Sequence, residues 1–253
     1  SVVASGESEG FRKLPAIDAS RFHSNASYVH VCSNNTIYGT QWPEFDSIFK
    51  AAGDVPIVAD MSSDLLSRKI DFKKFGLIFA GAQKNLGPSG VCMVVIRKDL
   101  AERAKDSLPT MLQYRTHIKA GSRYNTPAAF GIYVCGLVLE WLKKQGGVEA
   151  MEQKNVAKAK VLYDAIDASG FYQCPNYKTD RSLMNVVFRI KTGTPDSERL
   201  EAMFVAEAKK SGLVELKGHR ATGGLRASIY NAMPIEGVRA LTSFMREFEN
   251  RNG

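Results

Sequence analysis

Apolar residues in the first hundred positions fall in short blocks rather than long stripes. Tyr28-Val-His-Val-Cys32, Ile57-Val58-Ala59, Gly76-Leu-Ile-Phe-Ala80 and Val91-Cys-Met-Val-Val-Ile96 are each closed off by turn-forming residues. Blocks of that length predict buried strands. With short helical pieces between them, such as Phe45 to Ala52, they predict a mostly parallel sheet. Beyond Leu100 the period changes. Pro127 to Lys144 predicts a long helix, with Pro127 in its first turn and Gly146-Gly147 closing it. Val148 to Ser169 predicts a second, with Met151, Val156, Ala159, Leu162 and Ile166 as its inner stripe. From about Arg181 a smaller unit follows: a strand at Met184–Ile190, a helix from Asp196 to Ser211, a strand at Leu225–Tyr230 and a last helix from Pro234 to Glu249. In that last helix Ile235, Val238, Leu241, Phe244 and Phe248 recur at steps of three and four. The expected fold class is α/β. Residues 1–145 would form a large domain, and residues 146–253 a connecting helix and a small α+β domain.

Composition narrows the function more than the fold. With 253 residues, 44% hydrophobic and 24% charged, the chain reads as an ordinary globular protein with a substantial core. No apolar run approaches membrane-spanning length, so no membrane partner is expected. Cys32, Cys92, Cys135 and Cys174 are too far apart for a zinc site or a compact disulfide scaffold. They read as reduced thiols of a cytoplasmic protein without a metal, with Cys92 and Cys135 in the core. The net charge of +8 is spread over pairs such as Lys73-Lys74, Lys143-Lys144 and Lys209-Lys210. Without a basic stripe interleaved with aromatics, nucleic acid is not an expected partner. A diffuse positive field suits an anionic small molecule instead.

The candidate chemistry centres on Lys84, set in Ala80-Gly-Ala-Gln-Lys-Asn-Leu-Gly-Pro-Ser-Gly90 directly after a predicted strand. Glycines there let a bulky ligand approach the backbone. A P-loop is excluded, because Lys84 precedes Gly87, is followed by Asn85, and the segment leads into another strand. Asp60 ends the preceding apolar block. A lysine for an aldehyde and a carboxylate for a ring nitrogen are what pyridoxal phosphate requires. A solvated surface lysine is the plainer alternative. Near the C-terminus, Arg220 and Arg226 flank Gly223-Gly224, and two planar guanidinium forks suit a substrate with two anionic ends. His23, His30 and His117 lack supporting patterns and read as structural.

Five segments carry a family resemblance: Asn34-Asn-Thr-Ile-Tyr-Gly39, Ala59-Asp-Met-Ser-Ser63, Ala80-Gly-Ala-Gln-Lys-Asn85, Tyr124-Asn-Thr-Pro127, and Lys217-Gly-His-Arg through Leu225-Arg-Ala-Ser-Ile-Tyr-Asn-Ala-Met-Pro234. In order and along nearly the whole chain they resemble the phosphoserine aminotransferases, class V, fold-type I enzymes that use pyridoxal 5'-phosphate in serine biosynthesis. The resemblance implies transfer of an amino group from L-glutamate to 3-phosphohydroxypyruvate, with a possible side role in pyridoxine biosynthesis. It implies Lys84 as the catalytic lysine that holds the cofactor aldehyde. Asp60 would sit at the ring nitrogen, Thr36 at the ring hydroxyl and Gln83 at the cofactor phosphate. Asn125 and Thr126 would reach the cofactor phosphate of a partner subunit, making a homodimer with shared sites. From the residues alone, the same Asn-Thr pair is an ordinary helix cap before Pro127. His219 and Arg220 would take the substrate's phosphate or distal carboxylate, and Arg226 its α-carboxylate.

The resemblance also implies an N-terminal portion, on the order of a hundred residues, that Ser1 does not follow here. In the family it carries a phosphate-cradling turn, a tryptophan stacked on the cofactor and an arginine that reaches across the dimer. Neither Trp42 nor Trp141 stands where that tryptophan would. The chain is therefore expected to be part of a longer enzyme. Two other readings stand beside this one. One is another class V enzyme: a cysteine desulfurase would need a nucleophilic cysteine on a mobile loop, and Lys217-Gly-His-Arg220 favours a phosphorylated substrate over the glyoxylate of an alanine–glyoxylate transaminase. The other is a folded, catalytically incomplete remnant of the aminotransferase.

Overall fold

The computed structural model describes residues 1–191 and 196–253. Its strands in chain order are β1 (Val29–Cys32), β2 (Asn34–Asn35), β3 (Thr40–Gln41), β4 (Ile57–Asp60), β5 (Leu77–Gly81), β6 (Cys92–Ile96), β7 (Tyr172–Gln173), β8 (Asn185–Ile190) and β9 (Leu225–Ser228). The helices are α1 (Asp46–Ala52), α2 (Lys98–Ala101), α3 (Tyr114–Lys119), α4 (Ala129–Lys144), α5 (Gly147–Ala168), α6 (Ser197–Lys210) and α7 (Ile235–Asn252). Two compact units result. One joins Ile17–Ser33 to Phe45–Val148; the other joins Ser1–Ala16, Asn34–Glu44 and Glu149–Gly253.

In the first unit the strand order is β1-β4-β5-β6, with β1, β4 and β5 parallel and β6 antiparallel at the edge. The apolar blocks thus form the mostly parallel sheet that they predict. Ile57, Ala59, Ile78 and Ala80 fill its interior, and Phe45, Phe49 and Phe75 pack edge to face where α1 docks. Asp60 is the last residue of β4, opposite Cys32 on β1 and Phe79 on β5. The lysine-bearing loop leaves the end of β5 at the same carboxyl edge of the parallel strands, which is where α/β sheets bind ligands.

Two expectations fail in this unit. Cys92 is exposed and Cys135 only half-buried, because β6 is an edge strand and α4 leaves much of its surface open. None of the four cysteines, all of them among the described residues, forms a disulfide. In α4 only Leu142 is buried, while Phe130, Ile132, Tyr133 and Leu137 are exposed, Phe130 by 78%. The helix starts at Ala129, and its N-cap Ala128 has no side-chain capping bond, so Asn125 and Thr126 do not cap it.

The second unit is built on the antiparallel sheet β7-β8-β9. Its core joins Val186, Phe188 and Ile190 of β8 to Phe204 of α6, Leu162 and Ile166 of α5, and Val238, Leu241, Phe244 and Phe248 of α7. Phe204 lies edge to face with Tyr172, Phe188, Phe244 and Phe248. The α7 stripe is the expected one. In α5, Val156 is 46% exposed, and Asn155 and Lys158 take the inner face with Met151, Leu162 and Ile166. Steps of four and three from Met151 reach Asn155 and Lys158, whereas Val156 lies a further 100° round the helix. The β2–β3 hairpin belongs to this unit: Ser182 N–H donates to Gly39 O at 2.9 Å, and Leu183 N–H to Gln41 Oε1 at 2.9 Å.

Candidate active site

In the first unit, Asp60, Gln83 and Lys84 occupy adjacent loops at the carboxyl edge of β4 and β5. Asp60 is half-buried, and its Oδ1 accepts from Ser62 N–H at 2.8 Å. Ser62 Oγ in turn accepts from Gly81 N–H at 3.0 Å, which ties the Asp60 loop to the root of the Lys84 loop. Asp60 forms no ion pair among the described residues. A half-buried carboxylate without a cation fits the protonated ring nitrogen of pyridoxal phosphate. Lys84 lies half-buried in a turn closed by Leu86 N–H and Gly87 N–H, which both donate to Ala82 O. Asn85 anchors that turn from below, its Nδ2 donating to Leu65 O at 3.3 Å. Gln83 is exposed. Beneath these loops Ser33 Oγ donates to the buried Asp64, which also pairs with Arg68 at 3.4 Å. Asn125 and Thr126, in the same unit, are both exposed.

In the second unit the structure brings Thr36 and Arg226 together. Arg226 Nη1 donates to Thr36 O at 3.2 Å, and its buried Nε has no partner among the described residues. No carboxylate pairs with it there, so the plain surface ion pair is absent. An arginine fork held at one corner, with an orphaned donor, is poised for an incoming carboxylate. The loop before β9 is folded on His219. Its backbone oxygen accepts from Thr222 N–H and Gly223 N–H, at 3.0 and 2.8 Å. Its Nδ1 accepts from Ala221 N–H at 3.2 Å, so the neutral ring carries its proton on Nε2 as a remaining donor. Arg220 beside it is exposed. Gly218 has no room for a side chain: a Cβ there would lie 2.0 Å from Gly223 O.

Sequence reasoning missed the groups that hold this loop. Arg189 pairs with Glu201 at 3.2 Å and donates to Thr222 O at 3.4 Å, pinning the loop from β8. Lys158 is buried, its Nζ donating to Ile229 O at 3.1 Å and Tyr230 O at 2.8 Å. Burial pushes its pKa down to about 8. A lysine and an asparagine at core spacing in α5 were the available signal. His117 Nε2–H donates to Met111 O at 2.9 Å, and His30 stacks on Phe79, contacts of a structural kind.

Residues 3–241 match the family model described as aminotransferase class-V. The chain belongs to the class-V aminotransferases. A phosphoserine aminotransferase of Geobacillus kaustophilus is 56% identical over 251 residues, which are 99% of this chain and 67% of that protein. The solved phosphoserine aminotransferase of Bacillus circulans subsp. alkalophilus superposes with a TM-score of 0.92 at 47% identity, covering 100% of this chain and 68% of that one. A pyridoxal-phosphate-bound phosphoserine aminotransferase from Trichomonas vaginalis superposes with a TM-score of 0.82 at 38% identity, covering 89% of this chain and 61% of that one. Among the described residues no helix is long and apolar enough to cross a membrane.

Proposed function

We propose that the chain carries the catalytic lysine and the substrate-anion groups of a phosphoserine aminotransferase. Such an enzyme moves the amino group of L-glutamate to 3-phosphohydroxypyruvate, giving O-phospho-L-serine and 2-oxoglutarate. The observation that carries this reading is the Arg226 fork, held at Thr36 with its Nε unpartnered, on the strand that follows the His219–Arg220 loop. An α-carboxylate and a phosphate are the two ends of the proposed substrate, and these are the groups that recognise them.

Pyridoxal phosphate is the cofactor, and when bound it supplies an aldehyde and an electron-withdrawing ring that stabilises negative charge at the substrate's Cα. With it bound, Lys84 Nζ would hold its aldehyde and, when free, would serve as the base that moves the proton at the substrate's Cα. Asp60, oriented by Ser62 N–H, would keep the ring nitrogen protonated. Thr36 would meet the ring hydroxyl and Gln83 the cofactor phosphate. Arg226 binds the α-carboxylate. His219, through Nε2–H, and Arg220 bind the phosphate of one substrate and the distal carboxylate of the other.

The enzyme works as a cytoplasmic homodimer in which Asn125 and Thr126 serve the partner's cofactor phosphate. Supporting this, both residues are exposed just before α4, whose apolar side chains lie open as they do at subunit interfaces. The function is tested by supplying pyridoxal phosphate, glutamate and 3-phosphohydroxypyruvate and following O-phosphoserine by mass. Wild type should form it and Lys84→Ala should not; equal product from both would refute the role of Lys84.

A further inference from the structure

Asn185 opens β8 with no surface exposed, and all three polar groups of its side chain are engaged. Its Oδ1 accepts from Asn34 Nδ2 at 2.9 Å, and its Nδ2 donates to Ser228 Oγ and Tyr230 Oη, each at 3.1 Å. Asn34 begins the β2–β3 hairpin that carries Thr36, and its Oδ1 accepts from Ser182 Oγ. Asn35 shapes the tip, its Oδ1 accepting from Ile37 N–H and Tyr38 N–H at 3.1 and 3.2 Å. Gly39, with φ of 73°, closes the hairpin on β8, where a Cβ would come 2.8 Å from Asn185 O. Ser228 ends the strand that carries Arg226, and Arg226 returns to Thr36 O. The polar contacts therefore make a ring: Asn185, Asn34, the Thr36 turn, Arg226, Ser228 and back to Asn185.

We propose that Asn185 is a positioning residue that locks the Thr36 turn and the Arg226 strand into one rigid piece. An apolar side chain would fill its place in the core as well. Only an amide offers one acceptor to Asn34 and two donors to Ser228 and Tyr230 at once. Its product is a fixed separation between a cofactor-contacting turn and a carboxylate-binding arginine. A misplacement of about 1 Å at such a pair lowers rate or affinity roughly a hundredfold. The proposal rests on Arg226 as the α-carboxylate group.

The test uses the cofactor-loaded enzyme and maleate, a dicarboxylate that cannot donate or accept an amino group. Asn185→Leu should weaken maleate about tenfold and raise KM for both glutamate and 3-phosphohydroxypyruvate more than it lowers kcat. Asn34→Ala should weaken maleate comparably, and the double variant no further, since both cut one ring. Tyr230→Phe removes a single contact and should give a weakening of about threefold, which keeps the test decisive if Asn185→Leu does not fold. Phe204→Leu, in the core away from the ring, should lower Tm and leave maleate affinity unchanged. Unchanged maleate affinity in the ring variants, additive losses, or an equal loss in Phe204→Leu would overturn the proposal. Arg226→Ala separates the two readings: if it does not weaken maleate, the assignment of Arg226 is wrong instead.

Discussion

Replacing Lys158 by methionine tests the energetics of the second unit. Lys158 is 2% exposed, and its Nζ bridges Ile229 O and Tyr230 O just beyond the Arg226 strand. Burial lowers its pKa from 10.5 to about 8. Methionine keeps the bulk and removes the donor, leaving two carbonyl oxygens unbonded at about 1–3 kcal/mol each. Against that stands the cost of a buried ammonium, and linkage gives its pH window. The unfolded lysine keeps its proton up to about pH 10.5, the folded one only up to about pH 8. Between those values the unfolded state binds more protons, so stability rises with pH. The rise is at most about 1.4 kcal/mol per pH unit, hence about 2 kcal/mol between pH 8 and 9.5. Below pH 8 this contribution is flat. Trp42 and Trp141 fall in different units, so a Trp141→Phe background leaves Trp42 as reporter of the unit that holds Lys158. Urea unfolding followed by Trp42 fluorescence should show Lys158→Met less stable by about 2–4 kcal/mol at pH 9.5, the gap narrowing as pH falls to 8. Parallel pH profiles for the two proteins would refute the argument.

Three further expectations follow from the packing and the loops. Phe204→Ala removes a fully buried ring that meets four other aromatic rings, and should cost about 3–5 kcal/mol by urea unfolding. Gly218→Ala must push the Gly223 carbonyl away, so KM for 3-phosphohydroxypyruvate should rise about tenfold or more and Tm should fall; an unchanged KM would remove that loop from substrate binding. For the shared sites, mixing Lys84→Ala chains with Asn125→Ala/Thr126→Ala chains should give heterodimers more active than either parent, whereas verified heterodimers without recovery would mean that each site is built within a single chain.

The sheet of the first unit was readable because its strands are short apolar blocks, and α7 because its stripe never departs from steps of three and four. The β2–β3 hairpin was not, since its strands are Asn, Thr and Gln and are held by partners far along the chain. Asn34 finds Asn185 across 151 positions, and no local pattern announces that. The same blindness hid Lys158 and Asn155: a polar residue beside Val156 is read as the outer face, although helical spacing puts it inside. Candidate chemistry was legible where residue types conflict with packing. A lysine between glycines at a strand's end, and two arginines around Gly223-Gly224, are not what a buried strand or a tight turn asks for. The supports of those groups, Arg189, Asn185 and Ser62, carry no such conflict, because each is an unremarkable residue until its partners are known.

Substrate choice is the most direct test of the central claim. With 2-oxoglutarate as acceptor, kcat/KM for O-phospho-L-serine should exceed that for L-alanine by ~10³ or more, because a site built to bond a phosphate leaves its donors unpaired without one. The preference should collapse in His219→Ala/Arg220→Ala while alanine turnover changes little. Equal kcat/KM for the two amino acids in the wild-type enzyme would contradict the account.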